Sequence, residues 1–390
     1  YLFLVLVLGL PLGELSRISF NLVTAVTFLD IIIGCGSSFW IVAQIVKLKK
    51  PVSPQAKAYS IFIGVLVLSL LFQIFFLPQS QLINGALYIV RYCLYGLLFF
   101  IVVGLSPKRK KITTFLLGCA GGILLFTGFL QFFFYPALRN LYYAGWDEHF
   151  YRMFGTFLDP NFFGLFLTGY TLFLVSLFQK QKNAWLKILF GLLILASFIG
   201  IVLTYSRTAL ISLAIGTLIM FWKNMQSKKV LGIISGFVVV AMIIIFLVGR
   251  HSIGNNLFRV TSSDARIGDA KNALIIFSQH PILGVGFNTY RYAQYRYGFM
   301  KPSSTQPDHG ASGADNSLLF VLATTGIIGF AAFLYLLFVH MRILLQKKNR
   351  LGLATICSFI IGSFFINGLF YPFILVWLWV ILGLSENTSP

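Results

Sequence analysis

The chain has 390 residues, of which 58% are apolar and only 10% charged. Soluble domains carry about a quarter charged residues, so this composition excludes a soluble globular protein and marks an integral membrane protein. Thirty Lys and Arg against ten Asp and Glu give a net charge of +20. Most of that excess lies in short gaps between apolar runs, where each basic residue gains about 1 kcal/mol from anionic head groups. Nucleic acid is not implied as a partner; membrane lipid is.

Apolar runs predict helices near 1–11, 22–46, 58–77, 85–105, 112–134, 161–178, 184–205, 207–222, 229–249, 316–340, 351–367 and 370–385. The first is short for a bilayer core that takes about 20 residues. We therefore expect its helix to begin before Tyr1, or a precursor to have been trimmed. The polar gaps alternate in charge. Those at 47–57, 108–111, 180–187, 223–229 and 342–350 hold Lys and Arg without an acid. The gaps between them hold Glu14, Asp147, Glu148, Asp159, Asp264, Asp269, Asp308 and Asp315. The positive-inside rule assigns the first set to the cytoplasm. Twelve spans then place both termini there, and the long gaps 135–160 and 250–315 on the outer face.

The expected fold is thus an all-α polytopic membrane protein with about 12 transmembrane helices. It forms a single domain over 1–390, with a large outward loop between spans 9 and 10. Long ordered loops are uncommon without a functional reason. Within this one, 266–277 puts Ile267, Ala270, Leu274 and Phe277 on one helical face, which predicts an amphipathic helix lying on the outer membrane surface. His280 and Pro281 end it, and a flexible turn at Gly284, Val285 and Gly286 is expected to follow.

Four outward constellations carry candidate chemistry. In the first, Arg152 to Phe157 leads into Asp159, Pro160 and Asn161, where Asp159 is a natural N-cap with Pro160 at the first helical position. Capping leaves Arg152 unexplained. In the second, Tyr205, Ser206 and Arg207 make a very tight turn between two apolar spans. Arg207 either snorkels to head groups or serves the function that ionisable groups at membrane depth usually mark. In the third, Arg266 stands where the surface helix is expected to begin, as a solvated charge or as a bidentate fork for a phosphate or diphosphate. In the fourth, Asp315, Asn316 and Ser317 open the tenth span, followed by Gly326 and Gly329. Asp315 either caps that helix or meets a lipid-borne substrate as a general base.

Other signals are weaker. Cys35, Cys93, Cys119 and Cys357 lie in or beside apolar runs without CxxC spacing and read as small buried side chains. The five histidines show no metal-ligand spacing, so neither a metal nor a cofactor is expected. Tyr290, Tyr292, Tyr295 and Tyr297 suit sugar stacking or an interfacial aromatic belt.

Taken together, Arg152-x-x-Gly155-Thr156-Phe157-x-x-Pro160-Asn161, Tyr205-Ser206-Arg207, Arg266, His280-Pro281-x-x-Gly284-x-Gly286 and Asp315-Asn316-x9-Gly326-x-x-Gly329 resemble the bacterial O-antigen ligase and polymerase superfamily. Order, spacing and topology agree over essentially the whole chain. The resemblance implies a fold like that of the C-type glycosyltransferases and a metal-independent, inverting enzyme. Its donor would be an undecaprenyl-diphosphate-linked glycan, its acceptor a second glycan, and its place the outer face of the bacterial plasma membrane. Arg207, Arg266 and Asp315 would be catalytic, with Arg152, Asn161, Ser206 and Asn316 binding substrate. Ligases of the family carry His where this chain has Asp315, which leans toward the polymerase-like branch making O-antigen, capsule or exopolysaccharide. A flippase and a chain-length regulator would be its partners. The alternatives are a ligase passing glycan to lipid A-core or protein, and a transporter. Transport would call for polar groups inside the helices, which offer little beyond Asp30, Gln73 and Arg91.

Overall fold

A computed structural model describes residues 2–20, 24–46, 53–138, 141, 146–222, 260–301 and 313–386. The described residues are overwhelmingly helical. In chain order they form α1 (Leu2–Leu12), α2 (Phe28–Val46), α3 (Pro54–Leu71), α4 (Gln79–Val103), α5 (Pro107–Phe134), α6 (Pro160–Lys180) and α7 (Ala184–Leu203). Then come α8 (Arg207–Phe221), α9 (Val260–Gln279), α10 (Tyr290–Arg296), α11 (Ser317–Gln346), α12 (Arg350–Gly362) and α13 (Pro372–Ser385). Two short antiparallel hairpins pair β1 (Ile18–Ser19) with β2 (Ala25–Val26), and β3 (Ala137–Leu138) with β4 (His149–Phe150).

Six of these helices are long and apolar enough to cross a membrane, and five shorter apolar helices accompany them. This is the make-up of a polytopic membrane protein. Eleven of the twelve predicted runs appear as helices; the ninth, 229–249, lies outside the described residues, as does the basic gap before it.

Helix starts follow from local chemistry. The Ser53 side chain accepts from Ala56 N–H ahead of Pro54, and Asn183 accepts from Trp185 and Leu186 N–H. A capping side chain satisfies donors that the first turn leaves without a helical partner. The chain sorts its apolar helices by burial. α13 is apolar all round and its side chains from Phe373 to Leu382 are buried, packed among α4, α6 and α12. A helix apolar on every face belongs inside a bundle or against lipid. α5 and α7 take the second course, presenting Phe115, Phe126, Phe133, Trp185 and Leu192 outward.

The surface helix is longer than predicted and starts earlier, so Arg266 lies in its second turn and not at its N-terminus. Its apolar side chains divide. Ala273 and Ile276 are buried against the protein, while Ile267, Leu274 and Ile275 remain exposed. Of the predicted face, Ile267 and Leu274 are turned away from the bundle, whereas Ala270 and Phe277 are partly buried.

The turn expected to be flexible is instead interlocked with a broken helix. Gly326 has φ 63° and ψ −166° in the middle of α11, which opens the helical ladder there. Val285 and Gly286 N–H donate to Ala323 and Thr324 carbonyls at 3.1 and 2.9 Å, and Ile327 N–H donates to Pro281 O at 2.8 Å. A Cβ on Gly326 would strike the Ile282 carbonyl, and one on Gly284 (φ +66°) would strike the Thr324 carbonyl. Both glycines are needed for backbone to meet backbone. From α3, the Ser69 hydroxyl reaches Leu283 O at 2.9 Å and Thr324 O at 2.8 Å, and just beyond α3 Gln73 Nε2 donates to Gly284 O at 3.2 Å. The segment from Pro281 to Gly286 is thus fastened to α11, the helix that follows Asp315.

Candidate active site

The four constellations draw together in two pairs. Arg152 Nε donates to Thr204 O at 2.9 Å, and its Nη2 lies 3.4 Å from Asn161 Oδ1. Met153 N–H adds a bond to Leu203 O at 2.9 Å. The segment before α6 is therefore laced to the α7–α8 turn, and the buried Arg152 has the structural account that capping lacked. Gln131 of α5 secures the same segment, with Oε1 accepting from Phe154 and Gly155 N–H at 2.8 and 3.0 Å. Asp159 caps α6 as predicted, accepting from Asn161 N–H at 2.6 Å and Phe162 N–H at 3.1 Å. Tyr205 takes a left-handed φ of 52°, which lets the chain reverse within Thr204, Tyr205 and Ser206. Ser206 caps α8, and Arg207 is its exposed first residue.

The second pair joins α9 to the start of α11. Asp315 N–H donates to Asp269 Oδ2 at 2.6 Å, and Tyr290 O–H reaches Asp269 Oδ1 at 3.3 Å. Asn316 caps α11 through Leu318 and Leu319 N–H and donates to Phe364 O at 3.1 Å. Ser317 N–H donates to Ser363 O at 2.8 Å, so the start of α11 is held by the α12–α13 connection.

Asp315 opens into a cavity of about 260 Å³. Although accessible from it, the Asp315 carboxyl is hemmed in by protein, and this burial raises it to about 6. The nearby negative charge of Asp269 pushes the same way, against the pull of the Arg266 guanidinium. Burial also raises Asp269, tempered by the two hydrogen bonds it accepts. A carboxyl of this kind is ionised for much of the time at neutral pH and still basic enough to take a proton.

The cavity wall combines aromatic rings with charge. Phe162 stacks on Tyr371 at 4.1 Å between centroids, and Trp146 lies under the Arg17 guanidinium at 5.9 Å. Arg17 pairs with Glu14 at 3.0 Å, and Glu14 also accepts from Tyr371 O–H at 3.3 Å. Flat rings beside hydrogen-bonding groups suit an amphipathic, polyhydroxylated ligand. Among the described residues no three His, Cys, Asp or Glu side chains gather as a metal-holding group.

Of the residues expected to be catalytic or to bind substrate, Asp315 lines this cavity, as does the α6 cap Asp159. Arg266 acts on Asp315 electrostatically, while Asn161 lies between two lining residues, Asp159 and Phe162. Arg152, Arg207, Ser206 and Asn316 stand outside the wall. Three arginines that the motifs did not single out, Arg17, Arg91 and Arg291, do line it. Arg91 had a usable signal: with Asp30 it is an ionisable residue inside an apolar run, and the two form a 2.8 Å ion pair. Arg291 was masked by the tyrosines around it.

Fold and cavity together define a multi-pass helical membrane protein with a polar, carboxylate-bearing chamber at one end of its bundle. Residues 190–334 match the family model for O-antigen ligase. The match takes in Arg207, Arg266, Asp315 and the interlocked glycines, and it agrees with the superfamily that the motifs resemble; the Arg152 to Asn161 motif precedes it. No curated protein matches the chain.

Proposed function

We propose that this protein is a membrane glycosyltransferase that polymerises undecaprenyl-diphosphate-linked oligosaccharide repeats on the outer face of the bacterial plasma membrane. The observation that carries this reading is Asp315, a carboxyl raised to about 6 in a chamber walled by rings and hydrogen-bonding groups, within the stretch that matches the O-antigen ligase family. An acceptor glycan hydroxyl attacks the anomeric carbon of the donor. Its proton passes to Asp315, the bond to the lipid diphosphate breaks, and the diphosphate leaves with the electron pair. Positive charge grows on the sugar, as in glycoside hydrolysis, and negative charge on the leaving group. Arg207 and Arg266 stabilise the latter as fixed cations. Arg152 and Asn161 position the loop between α5 and α6 against the α7–α8 turn.

A ligase handing finished glycan to lipid A-core or protein is the second reading, favoured by the description of the matched family. Polymerase is preferred because Asp315 stands where the ligases carry His. A flippase and a chain-length regulator are the expected partners. Purified protein given undecaprenyl-diphosphate oligosaccharide alone decides between the readings. A product ladder spaced by one repeat is the polymerase outcome. Transfer only after lipid A-core or a protein acceptor is added makes it a ligase, and no transfer in either case overturns both.

A further inference from the structure

The polar chamber shares a wall with a second cavity of different character. This one, of about 220 Å³, lies between α2 and α4 and is lined by Ile31, Leu87, Val90 and Leu94 among others. Ala25, Tyr88 and Arg91 belong to both cavities. Ile31, Leu87 and Val90 expose 47%, 47% and 53% of their surface, and α4 is long and apolar enough to cross a membrane, so in a bilayer the groove would open toward lipid. It follows α4 from Leu87 to Tyr95, about 12 Å at 1.5 Å per residue. One end is thus hydrocarbon-facing, and the other meets the chamber that holds Asp315.

An arginine marks the junction. Arg91 pairs with Asp30 through Nε at 2.8 Å, reaches Ala25 O with Nη2 at 2.7 Å, and lies over the Tyr88 ring at 4.9 Å. Asp30 accepts in addition from Thr27 N–H, the Thr27 hydroxyl and the Tyr95 hydroxyl. The carboxylate charge is therefore shared among several donors, and the guanidinium plane is fixed at the boundary between polar and apolar space. A crevice for ordinary bilayer chains has no use for such a clamp, and ionisable groups at this depth are costly without a role. A ligand with an anionic head joined to a long hydrocarbon chain matches both halves.

We infer that the groove between α2 and α4 holds the first isoprene units of a polyprenyl-diphosphate donor, with Arg91 where the chain meets the diphosphate. This rests on the proposal that the donor is lipid-linked. The test is photolabelling of the full chain in phospholipid nanodiscs, using a polyprenyl diphosphate with a diazirine close to its diphosphate. The expected result is saturable labelling on α2 and α4, at Ile31, Leu87 or Val90, displaced by unlabelled polyprenyl diphosphate and not by added phospholipid. Leu87→Trp or Val90→Trp should weaken that labelling roughly tenfold, equivalent to about 1.4 kcal/mol of binding. Mapping the label on the wild-type chain decides the matter even if either variant fails to fold. Saturable labelling confined to other helices, such as α7 and α8, overturns the groove and leaves the lipid-linked donor standing. Displacement by phospholipid makes the occupant ordinary lipid and overturns it as well. No saturable labelling anywhere overturns the donor reading together with the groove.

Discussion

The backbone N–H of Asp315 donates to Asp269 Oδ2 at 2.6 Å, bringing together two acidic residues from distant segments, of which Asp315 lines the cavity. Burial and this like charge both disfavour ionisation of Asp315 and bring it to about 6. A general base must be ionised to act, so transfer should rise with pH, pass half-maximum near 6 and level off above. Asp269→Asn keeps an acceptor for the Asp315 N–H and removes the charge, so the acid limb should move to lower pH while the plateau rate changes little. Asp315→Asn should lose about 10²–10⁴ in rate at every pH. Initial rates across the acid range in the three proteins check this. An acid limb that stays in place in Asp269→Asn would sink the coupling.

The arginines divide into two kinds with different readouts. Arg207→Ala and Arg266→Ala each remove a cation assigned to the leaving diphosphate, and should cost about 10²–10³ in rate with little change in melting temperature. Arg152→Ala takes the Nε donor from the buried Thr204 carbonyl, which should cost about 1–3 kcal/mol of stability. Rates and melting curves in one detergent separate them. A stable but inactive Arg152→Ala would move that residue into the chemistry.

Backbone interlock makes a sharper prediction. A side chain at Gly326 or Gly284 meets the Ile282 or Thr324 carbonyl of the opposing segment and must also adopt a left-handed φ, a strain of about 1–3 kcal/mol before any clash is counted. Gly326→Ala and Gly284→Ala should therefore lower the yield of folded protein sharply. Gly268 in α9 has open space around its missing Cβ, so Gly268→Ala should be neutral or stabilising by about 0.5–1 kcal/mol. Detergent size-exclusion profiles of the three variants, compared side by side, test the contrast.

These outcomes bear on what the sequence could disclose. Helices and their order were legible because each apolar run has a length fixed by the bilayer, and because Asp159 and Pro160, or Ser53 and Pro54, announce their starts. The stretch that matches the O-antigen ligase family was legible in the motifs around Arg207, Arg266 and Asp315, charged types that are costly in such a setting. Pairing between segments was not. Nothing local in Gly284 or Gly326 states that each makes room for the backbone of the other, and the turn at 284–286 therefore read as flexible. The wall of the chamber escaped for the same reason. Arg17, Arg91 and Arg291 come from three separate stretches of chain, and only the fold makes them neighbours of one space.

Arg91 offers a separation of stability from chemistry. Its partner Asp30 is largely buried, with 11% of the side chain exposed, so Arg91→Leu strands a carboxylate beside an apolar groove. Breaking a buried pair from one side costs about 3–5 kcal/mol, which should appear as a large fall in melting temperature. Adding Asp30→Asn removes the stranded charge while its amide oxygen can still accept from Thr27 and Tyr95, so the double variant should regain most of the lost stability. If Arg91 served only to neutralise Asp30, transfer would return with the fold. If it marks the junction of chain and diphosphate, the refolded double variant should keep a raised KM for the lipid-linked donor. Melting temperature and KM measured on the same preparations distinguish the two, and full recovery of both would remove Arg91 from the substrate path.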